Sequence, residues 1–239
     1  MSTSRVDRIA RFAYSAVMPR TARASIGGMC YHVINRGNAR APLFHDSSDY
    51  QAFVRLISQA CTRLPLEVLA VCLMPNHVHL VLQPYGDGDL GRWMQWLLTS
   101  HVRRYHRRYG SSGHVWQGRF KAFPIQHDAH LLQVIRYVER NALRANLVVR
   151  AEDWRWGSLA WRCAGHPASL LALPPVSLPD DWLVRVNAPE SAVELAALRR
   201  SVNRGTPFGD TVWVAATAQY LGLESSVRPQ GRPRSRGEK

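Results

Sequence analysis

Two apolar runs separated by a short break constrain this chain more than any other feature. Residues 66–73, Leu66-Glu-Val-Leu-Ala-Val-Cys-Leu73, are apolar on both alternating sets. Met74-Pro75 turns the chain, and Asn76-His-Val-His-Leu-Val-Leu82 follows. Strand side chains alternate between faces, so the first run reads as a central strand buried on both sides. The second is cleanly two-sided: Val78, Leu80 and Leu82 share one face, and His77, His79, Val81 and Gln83 share the other.

The flanking pattern extends this hairpin into a sheet. Cys30–Arg36 reads as a strand that ends in a Gly37-Asn38 loop. Asp46 to Ser48 offer helix caps, and Tyr50, Phe53, Val54, Ile57, Cys61 and Leu64 recur at helical spacing until Pro65. A second helix is predicted over Asp89–Tyr109, with Leu90, Trp93, Met94, Leu97, Leu98, Val102 and Tyr105 as its stripe and Gly110 as its stop. Arg119–Gln126 can form a strand, at an edge because of Pro124. Asp128 then caps a helix to about Ala142. The order β-α-β-β-α-β predicts an α+β, ferredoxin-like split βαβ fold with one appended helix.

Four segments are expected: a disordered basic arm over 1–18, a domain over 19–150, an extension over 151–227 and a basic Pro/Gly tail over 228–239. The extension opens with Trp154, Trp156 and Trp161, continues through a Pro-rich linker or wrapping stretch at 167–179, and ends in short helices near 190–203 and 210–222. Lys plus Arg outnumber Asp plus Glu by 31 to 17, a net charge of +14 and a pI near 10.6. That surplus predicts a polyanionic partner, nucleic acid before membrane surface. No run of eighteen apolar residues is present, so no membrane span is expected. The four cysteines form no CxxC, which fits a reducing cytoplasm without a structural zinc.

His77 and His79 project from one strand face and can reach one metal ion. Ten histidines in 239 residues would give roughly 0.4 such pairs by accident. A pair of half-exposed strand histidines is therefore the plain alternative. On the helix after Asp128, Leu131, Ile135, Val138 and Ala142 form a buried stripe, while Gln133, Tyr137, Asn141 and Arg144 follow a more polar line. Laid over the histidine face, that line brings a phenol, an amide and a guanidinium to the metal. The phenol suits nucleophilic attack on phosphorus and the amide suits a third ligand. The bland alternative is a half-buried helix tyrosine beside a late-helix polar residue.

Tyr31-His-Val-Ile-Asn-Arg-Gly-Asn38, Met74-Pro-Asn-His-Val-His-Leu80, Trp116-Gln-Gly-Arg-Phe-Lys121 and Tyr137-Val-Glu-Arg-Asn-Ala-Leu-Arg-Ala145 occur in this order. Together they resemble the REP-associated tyrosine transposases, a branch of the single-tyrosine HUH transposases. The resemblance implies a domain that cuts and rejoins single-stranded DNA beside palindromic, hairpin-forming repeats, leaving a 5′-phosphotyrosine and a free 3′-hydroxyl. It implies His77 and His79 as ligands of Mg²⁺ or Mn²⁺, Tyr137 as nucleophile and Asn141 as the polar ligand. The family usually has Pro where this chain has Ala142, so the helix is expected to run on past Asn141.

Arg36, Asn38, Trp116, Arg119 and Lys121 fall in these motifs and form a candidate surface for unpaired bases. Arg103, Arg104, Arg107 and Arg108 form a candidate phosphate track. Three other readings stay open: a protein that grips DNA hairpins without cutting, a metal-dependent nuclease that uses water, and an RNA-directed role. The expected setting is cytoplasmic and nucleoid-associated.

Overall fold

Pro75 and Asn76 form a two-residue turn that pairs Met74 with His77 and Cys72 with His79. The computed structural model describes residues 25–165 and 170–228. In it, β1 (Cys30–Arg36), α1 (Ser47–Arg63), β2 (Leu66–Met74), β3 (His77–Pro84), α2 (Asp89–Tyr109) and β4 (Lys121–Ile125) follow in the expected order. The strands lie as β2-β3-β1-β4, with every neighbouring pair antiparallel. β1 and β2 thus run parallel with β3 between them, which is the split βαβ arrangement.

One face of the sheet is covered by α1 and α2. Phe53, Ile57, Trp93, Met94 and Leu97 meet Tyr31, Val33, Val71, Leu73, Val78, Leu80 and Leu82 in one buried cluster. Each such side chain contributes about 1.5–3 kcal/mol on burial. The Asp46 side chain accepts hydrogen bonds from the Ser48 and Asp49 amides and starts α1. Gly110, at φ 58°, stops α2.

The other face carries the histidines and is covered by α3 (Ala129–Glu139). Leu131, Val134, Ile135 and Val138 pack with Val81, Cys72, Phe123 and Ile125. Arg140 keeps helical dihedrals (φ −81°, ψ −6°), and α4 (Asn141–Arg144) follows directly. The helical path therefore continues past Asn141, as expected with Ala142 in place of proline.

β2 corrects one expectation. Its side chains are buried on both faces, but it lies at the edge of the sheet rather than at the centre. The residues after 150 supply the missing neighbour. Leu73 donates its N–H to the Trp156 carbonyl at 3.0 Å, and Ala172 donates to the Val68 carbonyl at 2.9 Å. A bulge interrupts the β2–β3 register between Val68 and Ala70. Ser158 Oγ accepts from the Val71 N–H, and Arg162 donates to the Leu69 carbonyl. β4 is the opposite edge, as Pro124 predicted. Its outer side is covered as well: Phe208 donates to the Pro124 carbonyl, and Gln126 donates to the Phe208 carbonyl, both at 2.9 Å. An exposed edge is a template for aggregation, and this extension closes both.

The extension contains α5 (Ser158–Ala164), α6 (Trp182–Asn187), α7 (Ala192–Arg204), α8 (Thr211–Tyr220) and α9 (Glu224–Val227). Trp156 and Trp161 join the core under α1 and α2, while Trp182, Val186, Leu198 and Phe208 join the core under α3. The expected helices near 190–203 and 210–222 correspond to α7 and α8. The Pro-rich stretch acts as a wrapping segment where it is described, with Val176 and Leu178 packed on the α3 core. The expected arm over 1–18 and the tail beyond Arg228 lie outside the described residues. Among the described residues no helix is long and apolar enough to cross a membrane.

Candidate active site

The β3 register sets His77 opposite Arg36 and His79 opposite Ile34 on β1, with Met74 and Cys72 across on β2. The pair sits beneath α3 with ring centroids 4.9 Å apart. The structure adds a third imidazole that sequence reasoning did not single out. His32 on β1 is fully buried and lies diagonally from His79. Its Nε2 is 2.9 Å from His79 Nδ1, and the rings stack at 5.1 Å and 19°. A lone histidine inside the apolar run 30–34 was the available signal. Its adjacency to His79 depends on the β1–β3 register, which local periodicity does not reveal.

The imidazoles are held neutral. Burial, with the nearby charges of Arg36 and Arg144, lowers His77 to about 4. Burial and Arg144 lower His32 to about 3. Burial, the other two histidines and the same arginines hold His79 well below its ordinary value. His77 Nδ1 lies 2.7 Å from Asn76 Oδ1, an acceptor, so Nδ1 donates and Nε2 keeps its lone pair. Neutral imidazoles with a free lone pair are the form that binds metal.

Tyr137 is buried, with its ring edge-on to His79 at 5.9 Å and to His32 at 6.0 Å. The Arg144 guanidinium lies 4.0 Å from the centre of the phenol ring. Arg144 is anchored by Glu190, in the loop between α6 and α7, at 2.8 Å, and Arg140 approaches the same carboxylate at 3.7 Å. Asn141 is also buried, and its Nδ2 has no hydrogen-bond partner among the described residues. Ala142 packs in the same buried cluster as Cys72, and Cys72 is the cross-strand partner of His79, so α4 is docked beside the histidines. The line predicted to be the polar side of the helix is thus enclosed, because the extension covers what α3 alone would leave open.

Among the described residues, no three His, Cys, Asp or Glu side chains form a metal-holding group. The candidate donors are instead two imidazoles and one amide. Their chemistry fits a divalent ion of mixed N/O preference, with the two imidazoles offering ring nitrogens and the Asn141 amide its oxygen.

The remaining candidates divide. Arg36 is exposed opposite His77, and Asn38 is exposed on the adjoining loop. That loop is tightly bent: Ala39 and Arg40 take φ of 49° and 62°, and a Cβ on Gly37 would come within 2.2 Å of the Ala41 carbonyl oxygen. Arg119 and Lys121 are exposed and line a groove of about 1130 Å³ between α2 and β4, with Arg92, Leu98 and Phe120. Trp116 also borders the groove, but it is 7 % exposed and packs on His101 and Phe53. Its ring faces are occupied by the core, so it does not present a free platform for a base. Arg104 pairs with Asp49 at 2.9 Å, and Arg108 bridges Asp46 and Asp49. Arg103 and Arg107 lie exposed on α2, so the expected phosphate track narrows to them.

The family described as "Transposase IS200 like" matches residues 25–141. A Haemophilus influenzae protein, a candidate REP-associated tyrosine transposase, is 28 % identical over 123 residues, 46 % of this chain and 69 % of that protein. A REP-associated tyrosine transposase solved bound to a REP hairpin shares the fold with a TM-score of 0.51, at 19 % identity, over 70 % of this chain and 88 % of its own. A transposase-like structure from Deinococcus radiodurans overlaps 48 % of this chain and 92 % of its own at 19 % identity, with a TM-score of 0.37, and carries no argument. Residues 25–141, which hold His32, His77, His79, Tyr137 and Asn141, are thus the part of this chain that is similar to the IS200-like transposases.

Proposed function

We propose that this protein cuts and rejoins single-stranded DNA beside a hairpin, with Tyr137 as the covalent nucleophile. One observation carries the reading: the Tyr137 phenol is enclosed on the face that bears His77 and His79, with a guanidinium over its ring. A structural tyrosine on α3 would not need that company. The solved relative bound to a REP hairpin suggests the class of DNA. The surplus of 14 positive charges suits the same ligand.

In this reading, the phenol oxygen attacks phosphorus and gives up its proton to water as the oxygen–phosphorus bond forms, while the bond to the 3′ oxygen breaks and that oxygen takes up a proton from water. The products are a 5′-phosphotyrosine and a 3′-hydroxyl, and attack by another 3′-hydroxyl reverses the step. Arg144 and Arg36 stabilise the charge gathering on the phosphate oxygens. His77, His79 and the Asn141 amide would hold Mg²⁺ or Mn²⁺, which when bound polarises a non-bridging oxygen. Arg119, Lys121 and the groove beside β4 suit the unpaired flank of the hairpin, and Arg103 and Arg107 suit its phosphates.

The test is incubation with hairpin oligonucleotides carrying single-stranded flanks and Mg²⁺ or Mn²⁺, followed by mass spectrometry. The expected result is a phosphotyrosyl peptide containing Tyr137, absent in Tyr137→Phe, whose hairpin affinity is kept. Binding without cutting would instead show a hairpin-gripping protein, and cutting without an adduct would show a nuclease that uses water. An adduct at Tyr105 or Tyr109 would refute the assignment of Tyr137.

A further inference from the structure

We propose that His32 is a positioning residue, accepting a hydrogen bond from His79 and so turning the lone pair of His79 Nε2 toward the bound metal. This rests on the metal reading above. It adds a role for a residue that neither binds the ion nor reacts.

The argument begins with the 2.9 Å contact between His32 Nε2 and His79 Nδ1. Two neutral imidazoles can share that contact in two ways. If His32 donates, the proton of His79 lies on Nε2, and that nitrogen cannot ligate. If His79 donates, its Nε2 is bare and available, and the proton of His32 sits on Nδ1. Metal binding selects the second arrangement. His77 has its own tautomer set by Asn76. The two candidate ligands would therefore be oriented by different partners, each outside the ligand set, as metal-bound imidazoles commonly are.

The surroundings of His32 show why it can do this and why packing alone does not explain it. Phe123 meets its ring edge-on at 5.0 Å and 84°, and Tyr137 closes another side at 6.0 Å. The imidazole is thereby held against rotation. Its Nδ1 is buried without a hydrogen-bond partner among the described residues. An apolar residue would fill the same strand position without leaving a polar atom unsatisfied. Among the described residues, the one hydrogen bond of the His32 side chain is the one that bears on His79.

The experiment uses the full-length protein, stripped of metal and titrated with Mn²⁺ under electron paramagnetic resonance. His32→Phe keeps the ring shape without an acceptor. His32→Gln restores an acceptor oxygen at similar reach. The expectation is at least a tenfold loss of Mn²⁺ affinity in His32→Phe, the low end for losing such a partner, and recovery of most of it in His32→Gln. Metal-free hairpin affinity and thermal midpoint serve as fold controls and should stay near the parent's. Equal Mn²⁺ affinity in the parent and a folded His32→Phe would overturn the inference while leaving the metal reading intact. A parent that takes up no Mn²⁺ would overturn both. If His32→Phe does not fold, long-range ¹H–¹⁵N spectra of the Mg²⁺-loaded parent decide. A proton on His79 Nδ1 supports the inference, and one on His79 Nε2 refutes it.

Discussion

His101 shows how a single side chain couples this fold to pH. It lies in the α1/α2 core against Phe53 and Trp116, each at 5.1 Å. Burial, reinforced by Arg104 and opposed by Asp49, lowers it to about 4 from an ordinary 6.5. A histidine depressed in the fold takes up its proton more readily when unfolded. Its contribution is present above pH 6.5 and is lost as pH falls through 4. The loss is on the order of 3 kcal/mol at about 1.4 kcal/mol per unit. Denaturant unfolding at pH 7, 5.5 and 4 should show stability falling with pH, and His101→Leu should flatten that fall by a similar amount. An unchanged slope would mean that His101 reaches solvent. In the site, His77→Ala or His79→Ala should abolish cutting while hairpin affinity is largely kept, because phosphate contacts are spread over several arginines. Cutting that survives chelation would remove the metal from the mechanism.

Between elements, the Arg-rich end of α2 serves the fold first. Its arginines favour the negative end of that helix, and Asp46 and Asp49 favour the positive end of α1. The fold brings these two ends together, so Arg104 and Arg108 clamp α1 to α2. The Asp49 side chain is 2 % exposed, and removing its charge strands Arg104 in a partly buried position. Asp49→Asn should therefore cost about 1–3 kcal/mol by chemical denaturation, with hairpin affinity kept. Arg103→Ala and Arg107→Ala should act in the opposite way. Each should leave the thermal midpoint in place and reduce the salt slope of hairpin binding by about one. Equal affinity losses at Arg104 and Arg103 would return Arg104 to the DNA surface.

For the whole molecule, the residues after 150 complete the sheet and the site together. Glu139, at the end of α3, accepts hydrogen bonds from Ser158 Oγ at 2.6 Å, Arg162 Nε at 3.0 Å and Trp182 Nε1 at 2.7 Å. That one carboxylate fastens α3 to α5 and α6. Glu139→Ala should destabilise by about 3–5 kcal/mol, since it leaves the Arg162 charge without its partner. A chain ending at Arg150 would lose the cover of both sheet edges, and gel filtration should show it aggregated. Glu190 extends the same dependence to chemistry. Glu190→Gln should loosen Arg144 over Tyr137 and lower the rate of adduct formation several-fold at saturating DNA, with a smaller change in affinity. A rate equal to the parent's would mean that the anchor at Glu190 is dispensable.

Much of this was legible in the chain itself because it rests on local periodicity. Alternation in 76–82 placed His77 and His79 on one face, helical spacing from Asp128 placed Tyr137 and Asn141 four residues apart, and Pro124 marked an edge strand. Pairing across distance was not legible. The open edge of β2 is covered by segments more than eighty residues away, so a run that reads as a central strand lies at the edge. His32 meets His79 only through the register of β1 on β3, and Glu190 reaches Arg144 only because the extension folds back over α3. Local pattern determines which side of an element a residue occupies. Which residues then face it is decided by the packing that closes the sheet, because that closure is what excludes water from every group on the buried face.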